Sequence, residues 1–275
     1  MILASTFVGY DSRYGNTKPA TETMAEKAGQ DGRILNKEAL PFPSRGHQKT
    51  CRKNLAGLVT GDRRLQSALK QKERLCLVSC SVLKKEIERL IRQGDLDVER
   101  VYVSKYFHVD YNQIEKHLRP VLQRAVERFP GKVVLVYGDL CLGIDNEMKR
   151  LADEYGVAKI DALNCIDCQL GGKGKSVKAY PHQDLMFFTP GMTDFFKHAK
   201  SEMLREGIDE AIFKDFFKGI RGIVLLDTLG NMPQLRDEVE KLGTGLKILE
   251  KKTVGCKNVK SVIQEAIEKE LPLKT

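Results

Sequence analysis

The chain predicts an α/β protein with a single, mainly parallel sheet covered by helices on both faces, a Rossmann-like or flavodoxin-like three-layer sandwich. From Leu75 onward, short β-rich runs alternate with amphipathic helical segments, and this alternation is typical of strands joined by helical crossovers. The segment VVLVYGD (133–139) is apolar almost throughout, as expected for a central parallel strand. The sequence thus predicts an N-terminal extension over 1–74 and an α/β domain over 75–275.

Seven segments of this domain predict strands. Each is short, rich in β-branched or other apolar residues, and bounded by turn residues or by a helical pattern. The order of the strands in the sheet does not follow from the sequence. The predicted strands are LCLVSCS (75–81), VERVYVS (98–104), VVLVYGD (133–139), AKIDAL (158–163), LMFFTP (185–190), GIVLLDTLG (222–230) and LKILEKK (246–252).

Helical spacing fills most of the intervals between these strands. In KKEIERLIRQG the residues Ile87, Leu90 and Ile91 fall on one face, and Pro130 stops the long helix that begins at Tyr111. The segment 164–184, rich in Gly and Lys, predicts a loop. The predicted helices are 84–94, 111–129, 146–156, 192–207, 209–219, 232–243 and 258–271.

Composition narrows the class of protein. The net charge is +9, with basic residues spread along the chain rather than clustered, and no known nucleic-acid-binding motif is present. No apolar run approaches the roughly 20 residues that a transmembrane helix needs, and the N-terminus lacks the pattern of a signal peptide. We therefore expect a cytoplasmic protein that binds neither membranes nor nucleic acid.

Cysteines follow several of the predicted strands. Cys80 ends the first strand of the regular region, His108 follows the second, Cys141 the third, and Cys165 and Cys168 the fourth. The carboxyl ends of parallel strands meet at one edge of a sheet, where ligands bind. An odd total of seven cysteines argues against a disulfide framework, and thiolates suit zinc or iron–sulfur clusters. The sequence predicts that these five residues form a metal site, with Cys80, Cys141, Cys168 and either His108 or Cys165 as the ligands.

Two other interpretations use the same edge. In the first, an enzyme binds an anionic small molecule or nucleotide there, with Asp167 or His108 as acid and base. Lys173 and Lys175, in a glycine-rich segment running to Gln183, would bind the anion and close over it. In the second, the protein is a non-catalytic interaction module whose cysteines only pack. A thioredoxin-like redox role is disfavoured, because the pair Cys165–Cys168 is predicted to lie in a loop rather than to open a helix.

Near the N-terminus, the segment SRYGNT (12–17) resembles the phosphate-binding loop of flavodoxins. The likeness covers only about thirty residues and would imply bound flavin. Because the loops that hold the flavin ring are not identifiable, zinc or an iron–sulfur cluster is favoured over flavin as the cofactor.

Six segments also resemble a family catalogued as domain of unknown function 1638, whose members occur in methanogens and in anaerobic bacteria that use methylated compounds. The segments are CSVLKKEIERL, YFHVD, VLVYGDLC, IDCQLGG, TPGMTDF and LLDTLGN, between about Leu75 and Glu250. The family residues would correspond to Cys80, His108, Tyr137, Gly138, Cys141, Asp167, Cys168 and Gly172.

This chain departs from the family pattern in two places. The turn Tyr-Gly-Asp-Leu-Cys ending at Cys141 is one residue longer than usual, and Ile166 stands where histidine often precedes Asp-Cys, while Cys165 supplies a neighbouring thiol. Both departures imply altered ligation. The resemblance further implies a role in anaerobic one-carbon or corrinoid methyl transfer, with a small molecule or a corrinoid protein as partner.

Overall fold

The computed structural model describes residues 74–181 and 184–270, and these ranges contain seven strands and nine α-helices. The strands are β1 Leu75–Cys80, β2 Val98–Val103, β3 Val133–Val136, β4 Ala158–Lys159, β5 Leu185–Phe188, β6 Gly222–Asp227 and β7 Ile248–Thr253. The helices are α1 Lys84–Arg92, α2 Tyr111–Arg128, α3 Glu147–Tyr155, α4 Cys165–Leu170, α5 Lys175–Ala179, α6 Pro190–Arg205, α7 Glu210–Asp215, α8 Met232–Glu240 and α9 Lys257–Glu270.

The strands form two sheets, with the orders β2-β1-β3-β4 and β5-β6-β7, and every neighbouring pair is parallel. The predicted α/β class with parallel strands and flanking helices is confirmed. The expectation of one continuous sheet is wrong. The last strand of the first sheet, β4, is only two residues long, so it offers almost no edge on which β5 could continue that sheet.

Burial explains why three of the strands carry so few polar residues. All four residues of β3, all four of β5 and all six of β6 are buried, as expected for parallel strands covered on both faces. The edge strand β7 is mostly exposed instead, which fits its charged sequence. Among the described residues, no helix combines the length and apolarity needed to cross a bilayer.

The predicted loop over 164–184 is wrong in part, because two short helices lie within it. Asn164 begins α4 by accepting a hydrogen bond from the Asp167 N–H at 3.0 Å, which satisfies a backbone donor that has no partner inside the helix. Gly171, at a φ of 103°, ends that helix. Helices of five and six residues are too short to produce a recognisable periodicity, so their sequence resembles a loop.

The segments that follow strands of one sheet pack against those that follow strands of the other. A Cβ atom on Gly191, at the start of α6, would lie 1.9 Å from the Val82 carbonyl oxygen that follows β1. Thr228, after β6, donates a hydrogen bond to the buried Glu86 carboxyl of α1. The C-terminal helix α9 crosses back and packs against α4 and β4 of the first sheet. The carboxyl edges of the two sheets therefore face one another.

Replacing Gly191 by alanine should destabilise the protein by about 2–3 kcal/mol, because the added methyl group meets rigid backbone rather than a movable side chain. Gly94→Ala is the matched control: its Cβ would meet nothing within 4 Å, so only its left-handed backbone costs about 1 kcal/mol. Urea unfolding of both variants measures the difference. Equal losses would show that the Gly191–Val82 contact is not as close as described.

Candidate functional site

The strand order of the first sheet indicates a crevice at the carboxyl ends of β1 and β3. Its order β2-β1-β3-β4 means that the chain proceeds outward on one side from β1 and on the other side from β3. The following segments therefore diverge and leave a crevice at the carboxyl ends of these two strands, which is where open parallel sheets bind ligands. Cys80 is the last residue of β1, and Tyr137 directly follows β3.

Cys80 and His108 are in contact in this crevice. The Cys80 Sγ lies 3.2 Å from the His108 Nε2, and both side chains are buried. The two short turns that carry them are tied together, because the Lys105 N–H donates to the Ser81 Oγ at 2.8 Å. The Val82 N–H also points to the Cys80 sulfur, at 3.5 Å. Backbone hydrogen bonds thus fix the thiol and the imidazole against each other.

Gly138 brings the other two cysteine segments together. A Cβ at this position would lie 2.4 Å from the backbone of Asn164, so only glycine permits the approach. The Asp139 N–H donates to the Ala162 carbonyl and the Leu140 N–H to the Leu163 carbonyl, both at 2.9 Å. These bonds hold the turn that ends at Cys141 beside the start of α4.

The thiols of Cys80, Cys141 and Cys165 interact electrostatically in all three pairings. Cys168 interacts with Cys141 and Cys165, and it also lies near the Glu86 carboxyl. Each of these four cysteines therefore lies within electrostatic range of at least two of the others, and His108 contacts Cys80. Within 74–181 and 184–270, however, no group of three or more His, Cys, Asp and Glu side chains is arranged so that it could hold a metal ion.

Burial keeps these groups neutral. It raises the pKa of Cys80 to about 12 and that of Cys141 to about 11, and it raises the pKa values of Cys165 and Cys168 well above that of an ordinary thiol. Burial also lowers the pKa of His108 to about 4. The contact between Cys80 and His108 is therefore one between a thiol and a neutral imidazole rather than an ion pair.

The neutral state of the thiols also argues against a thioredoxin-like redox role for Cys165 and Cys168. The structure shows that Cys165 does open a helix, contrary to the loop predicted from the sequence. Disulfide oxidoreductases, however, need a thiolate of lowered pKa, and here burial shifts the pKa in the opposite direction. The helix position alone does not make this pair a redox motif.

Asp167 holds the segment after α4 in place. Its Oδ2 accepts from the N–H groups of Leu163 and Gly174, at 3.1 and 2.7 Å, and its Oδ1 accepts from the N–H and the hydroxyl of Ser176, at 2.7 and 2.6 Å. Four hydrogen bonds occupy both oxygens of this buried carboxylate, as expected for a structural group. Its geometry therefore favours a structural role over that of a general acid or base.

Lys173 and Lys175, predicted to bind an anion, lie on the surface of this segment. The Lys173 ammonium is 2.7 Å from the Asp139 carboxylate, which also pairs with Lys159 at 2.6 Å. Part of the predicted lid, from Lys175 to Ala179, is helical. His182 and Gln183, at the end of the predicted lid, lie outside the described residues, as does the flavodoxin-like segment 12–17.

Glu86 is a buried polar residue that the sequence reasoning missed. Its side chain is fully buried, Thr228 donates to one carboxyl oxygen, and the other oxygen has no hydrogen-bond partner among the described residues. Burial raises its pKa above the ordinary value. The helical spacing could have predicted the burial of Glu86, because this residue lies four residues before the buried Leu90 and therefore shares its face of the helix.

Tyr137 and Cys256 are two further buried residues, the first near the cysteine cluster and the second near Glu86. The Tyr137 hydroxyl is buried near Cys80 and Cys141, without a hydrogen-bond partner in the described part of the chain. The Cys256 thiol donates to the Thr228 carbonyl at 3.2 Å, so it belongs to the Glu86 side of the interface. Buried polar groups without partners are rare in proteins, and the Tyr137 hydroxyl adds one such group beside the two thiols.

We expect the six described cysteines, all of them buried free thiols, to react with iodoacetamide at least about a hundredfold more slowly than an unfolded peptide thiol at neutral pH. The reason is that only the thiolate reacts, and burial suppresses it. The experiment uses chelator-treated protein with Cys51→Ala, which removes the cysteine outside the described residues. Mass spectrometry follows labelling before and after unfolding in urea, and rapid labelling of Cys80 in the folded protein would contradict the neutral pair.

The raised pKa of Glu86 predicts a specific pH dependence of stability. Because the folded state favours the neutral carboxyl, the stabilisation is complete below about 4.3, the ordinary pKa of glutamate. It is lost as pH rises from there to the folded pKa, by at most about 1.4 kcal/mol per pH unit. Glu86→Gln, which keeps a neutral side chain of the same shape, should remove this loss.

Unfolding in urea across the pH range tests this, since the wild type should lose stability relative to Glu86→Gln as pH rises. Lys85 and Asp194, the charged neighbours that influence Glu86, are present in both proteins, so their titration cancels in the difference. A constant difference between the two proteins at all pH values would show that Glu86 ionises normally in the folded state.

Comparison with known protein families identifies the family of this chain. A family model described as protein of unknown function (DUF1638) matches residues 102–263, which include His108, Cys141, Asp167 and Cys168 but not Cys80. No curated protein and no solved structure gives a significant match. Because the model covers more than half of the chain, the protein belongs to the DUF1638 family.

Proposed function

We propose that this protein is a cytoplasmic metal-binding protein whose ligands are Cys80, His108, Cys141 and Cys165. The observation that carries the proposal is the 3.2 Å contact between the Cys80 sulfur and the His108 Nε2, buried in the crevice between β1 and β3. Two further thiols lie close enough to interact with Cys80 electrostatically. Sulfur and imidazole nitrogen are the donors that structural zinc sites use.

The donor set distinguishes the two candidate cofactors. Three cysteines and one histidine form a common zinc set. An iron–sulfur cluster is usually held by four thiolates, and Cys168 would then replace His108. The described side chains do not form a closed site, so binding requires thiols such as those of Cys141 and Cys165 to turn toward the Cys80–His108 pair.

The shifted pKa values of Cys80 and His108 favour a role for Cys80 as a metal ligand over a role as a catalytic nucleophile. A cysteine nucleophile needs an adjacent base that can take its proton, whereas burial keeps both Cys80 and His108 neutral. A neutral imidazole is the form that binds metal, and a coordinated thiol loses its proton to the solvent. A bound metal ion would thereby supply the positive charge that stabilises buried thiolates.

Two finer parts of the proposal concern the compartment and the partner. Free thiols at all six described cysteines suit a reducing compartment such as the cytoplasm. The resemblance to proteins of methanogens and anaerobic methylotrophic bacteria supports an accessory role in one-carbon or corrinoid methyl transfer. The partner would then be a small molecule or a corrinoid protein, which is an inference from association rather than from the site.

Full-length protein purified without oxygen should contain about one equivalent of zinc, or iron and sulfide with charge-transfer absorption, per chain. Elemental analysis and an ultraviolet–visible spectrum identify which, and cobalt substitution reports thiolate ligation if the metal is zinc. Cys80→Ala and Cys141→Ala should each reduce metal content at least about tenfold, because each removes one of the four ligands.

Cys76→Ala is the matched control. Cys76 is a buried cysteine of β1 like Cys80, but it interacts electrostatically with Glu99 and Arg128 rather than with the cluster. Its loss should leave metal content unchanged while imposing a similar packing cost. Wild-type protein that stays metal-free after reconstitution, or equal metal loss in all three variants, would refute the proposal.

A further inference from the structure

A cavity of about 670 Å³ opens on the other side of the segment that carries Cys80. Its walls come from α1, from the turn after β2, from the start of α6 and from the segment after β6. It thus lies where the carboxyl edges of the two sheets meet. A volume of this size is typical of sites for small molecules. The lining residues include Ser81, Lys84, Lys85, Arg89, Arg92 and Lys105.

Positive charge exceeds negative charge in this cavity. Five of its lining residues are Lys or Arg, against two carboxylates, Glu88 and Asp194. Glu88 is already engaged outside the cavity wall, since Arg100 donates to both of its oxygens at 3.0 and 3.2 Å, and the Tyr102 hydroxyl donates at 3.1 Å. Asp194 is shared between Lys85, at 2.7 Å, and Lys105, at 3.7 Å.

In the described part of the chain neither Lys84 nor Arg92 forms a salt bridge, and both are exposed. Lys84 lies over the Tyr102 ring, 5.7 Å from its centroid, and is an electrostatic neighbour of Glu88. Lys84 and Lys85 moreover occupy the first turn of α1, where the helix dipole disfavours cations. Gly191, in the first turn of the 16-residue helix α6, adds the positive end of a second helix dipole to the same wall. Lys84, Arg92 and the positive end of α6 therefore meet at one cavity, whose two carboxylates, Glu88 and Asp194, already pair with other cations.

We infer that this cavity is a binding site for a small multivalent oxyanion, a phosphate- or carboxylate-bearing metabolite. Arg92 and Lys84 would bind the anion, and Arg89, which donates to the Leu229 carbonyl in the cavity wall, would border it. Arginine and lysine provide charge-assisted hydrogen bonds to such groups. The inference does not depend on a bound metal, because none of these residues is a proposed ligand.

The cavity adjoins the cysteine cluster. Ser81 lines the cavity and directly follows Cys80, and the Lys105 ammonium is near enough to lower the pKa of the Cys80 thiol. The site is also distinct from the segment predicted from the sequence to bind an anion, because Lys173 and Lys175 do not line it.

The test is isothermal titration calorimetry of chelator-treated, full-length protein with pyrophosphate and, separately, with citrate, at low ionic strength. The wild type should bind at least one of them with a dissociation constant on the order of 0.1 mM, and binding should weaken with added salt. Preference for pyrophosphate or for citrate identifies the phosphate or carboxylate class.

Lys84→Gln/Arg92→Gln should weaken binding at least about tenfold, because two charge-assisted contacts are lost. The matched control is Lys214→Gln/Lys218→Gln, which removes the same net charge from exposed positions outside the cavity and should change affinity less than about twofold. Arg92→Gln alone should show an intermediate loss, and circular dichroism checks folding. No binding of either anion by the wild type, or equal losses in the two double variants, overturns the inference.

Discussion

The contact between the Gly191 backbone and the Val82 carbonyl oxygen is the constraint on which the rest of the site depends. Val82 has a neighbour on each side: its carbonyl meets the start of α6, and its N–H points to the Cys80 sulfur. Because a backbone has no rotamers with which to relieve a clash, the second sheet can approach the first only while position 191 has no side chain. This approach brings the carboxyl edges of the two sheets close together.

Exclusion of water between these edges determines the protonation of what lies there. The thiols, His108 and Glu86 all have pKa values shifted toward the neutral form, with burial as the leading cause. The cavity beside them has the opposite character, because three of its cations, Lys84, Lys85 and Arg92, remain exposed to solvent. The protein thus holds a neutral, polarizable donor cluster next to a positively charged, solvated wall. A positive ion suits the first region and an anion suits the second.

Much of this arrangement could be predicted from the sequence. The features that could not be predicted depend on contacts between residues far apart in the chain. The seven strands were recognisable because buried parallel strands are apolar. The placement of Cys80, His108, Cys141, Cys165 and Cys168 after the carboxyl ends of strands was predictable because all of the strands are parallel. The division into two sheets was not recognisable, since strand pairing depends on contacts between distant residues. The basic cavity was missed for the same reason, because its lysines and arginines become neighbours of Gly191 and Leu229 only when the sheets meet.

The residues of the family pattern divide by what they do in this chain. Gly138 and Asp167 serve the backbone: the glycine admits the close approach of Asn164, and the aspartate binds three N–H groups and a hydroxyl. Their effect is to place Cys165, at the first position of α4, beside Cys141 and Cys80. Cys168, one turn further along that helix, interacts with Cys141 and Cys165 but also lies near Glu86. In this chain Ile166 precedes Asp167 and Cys168, and the neighbouring Cys165 thiol lies within electrostatic range of Cys80, Cys141 and Cys168.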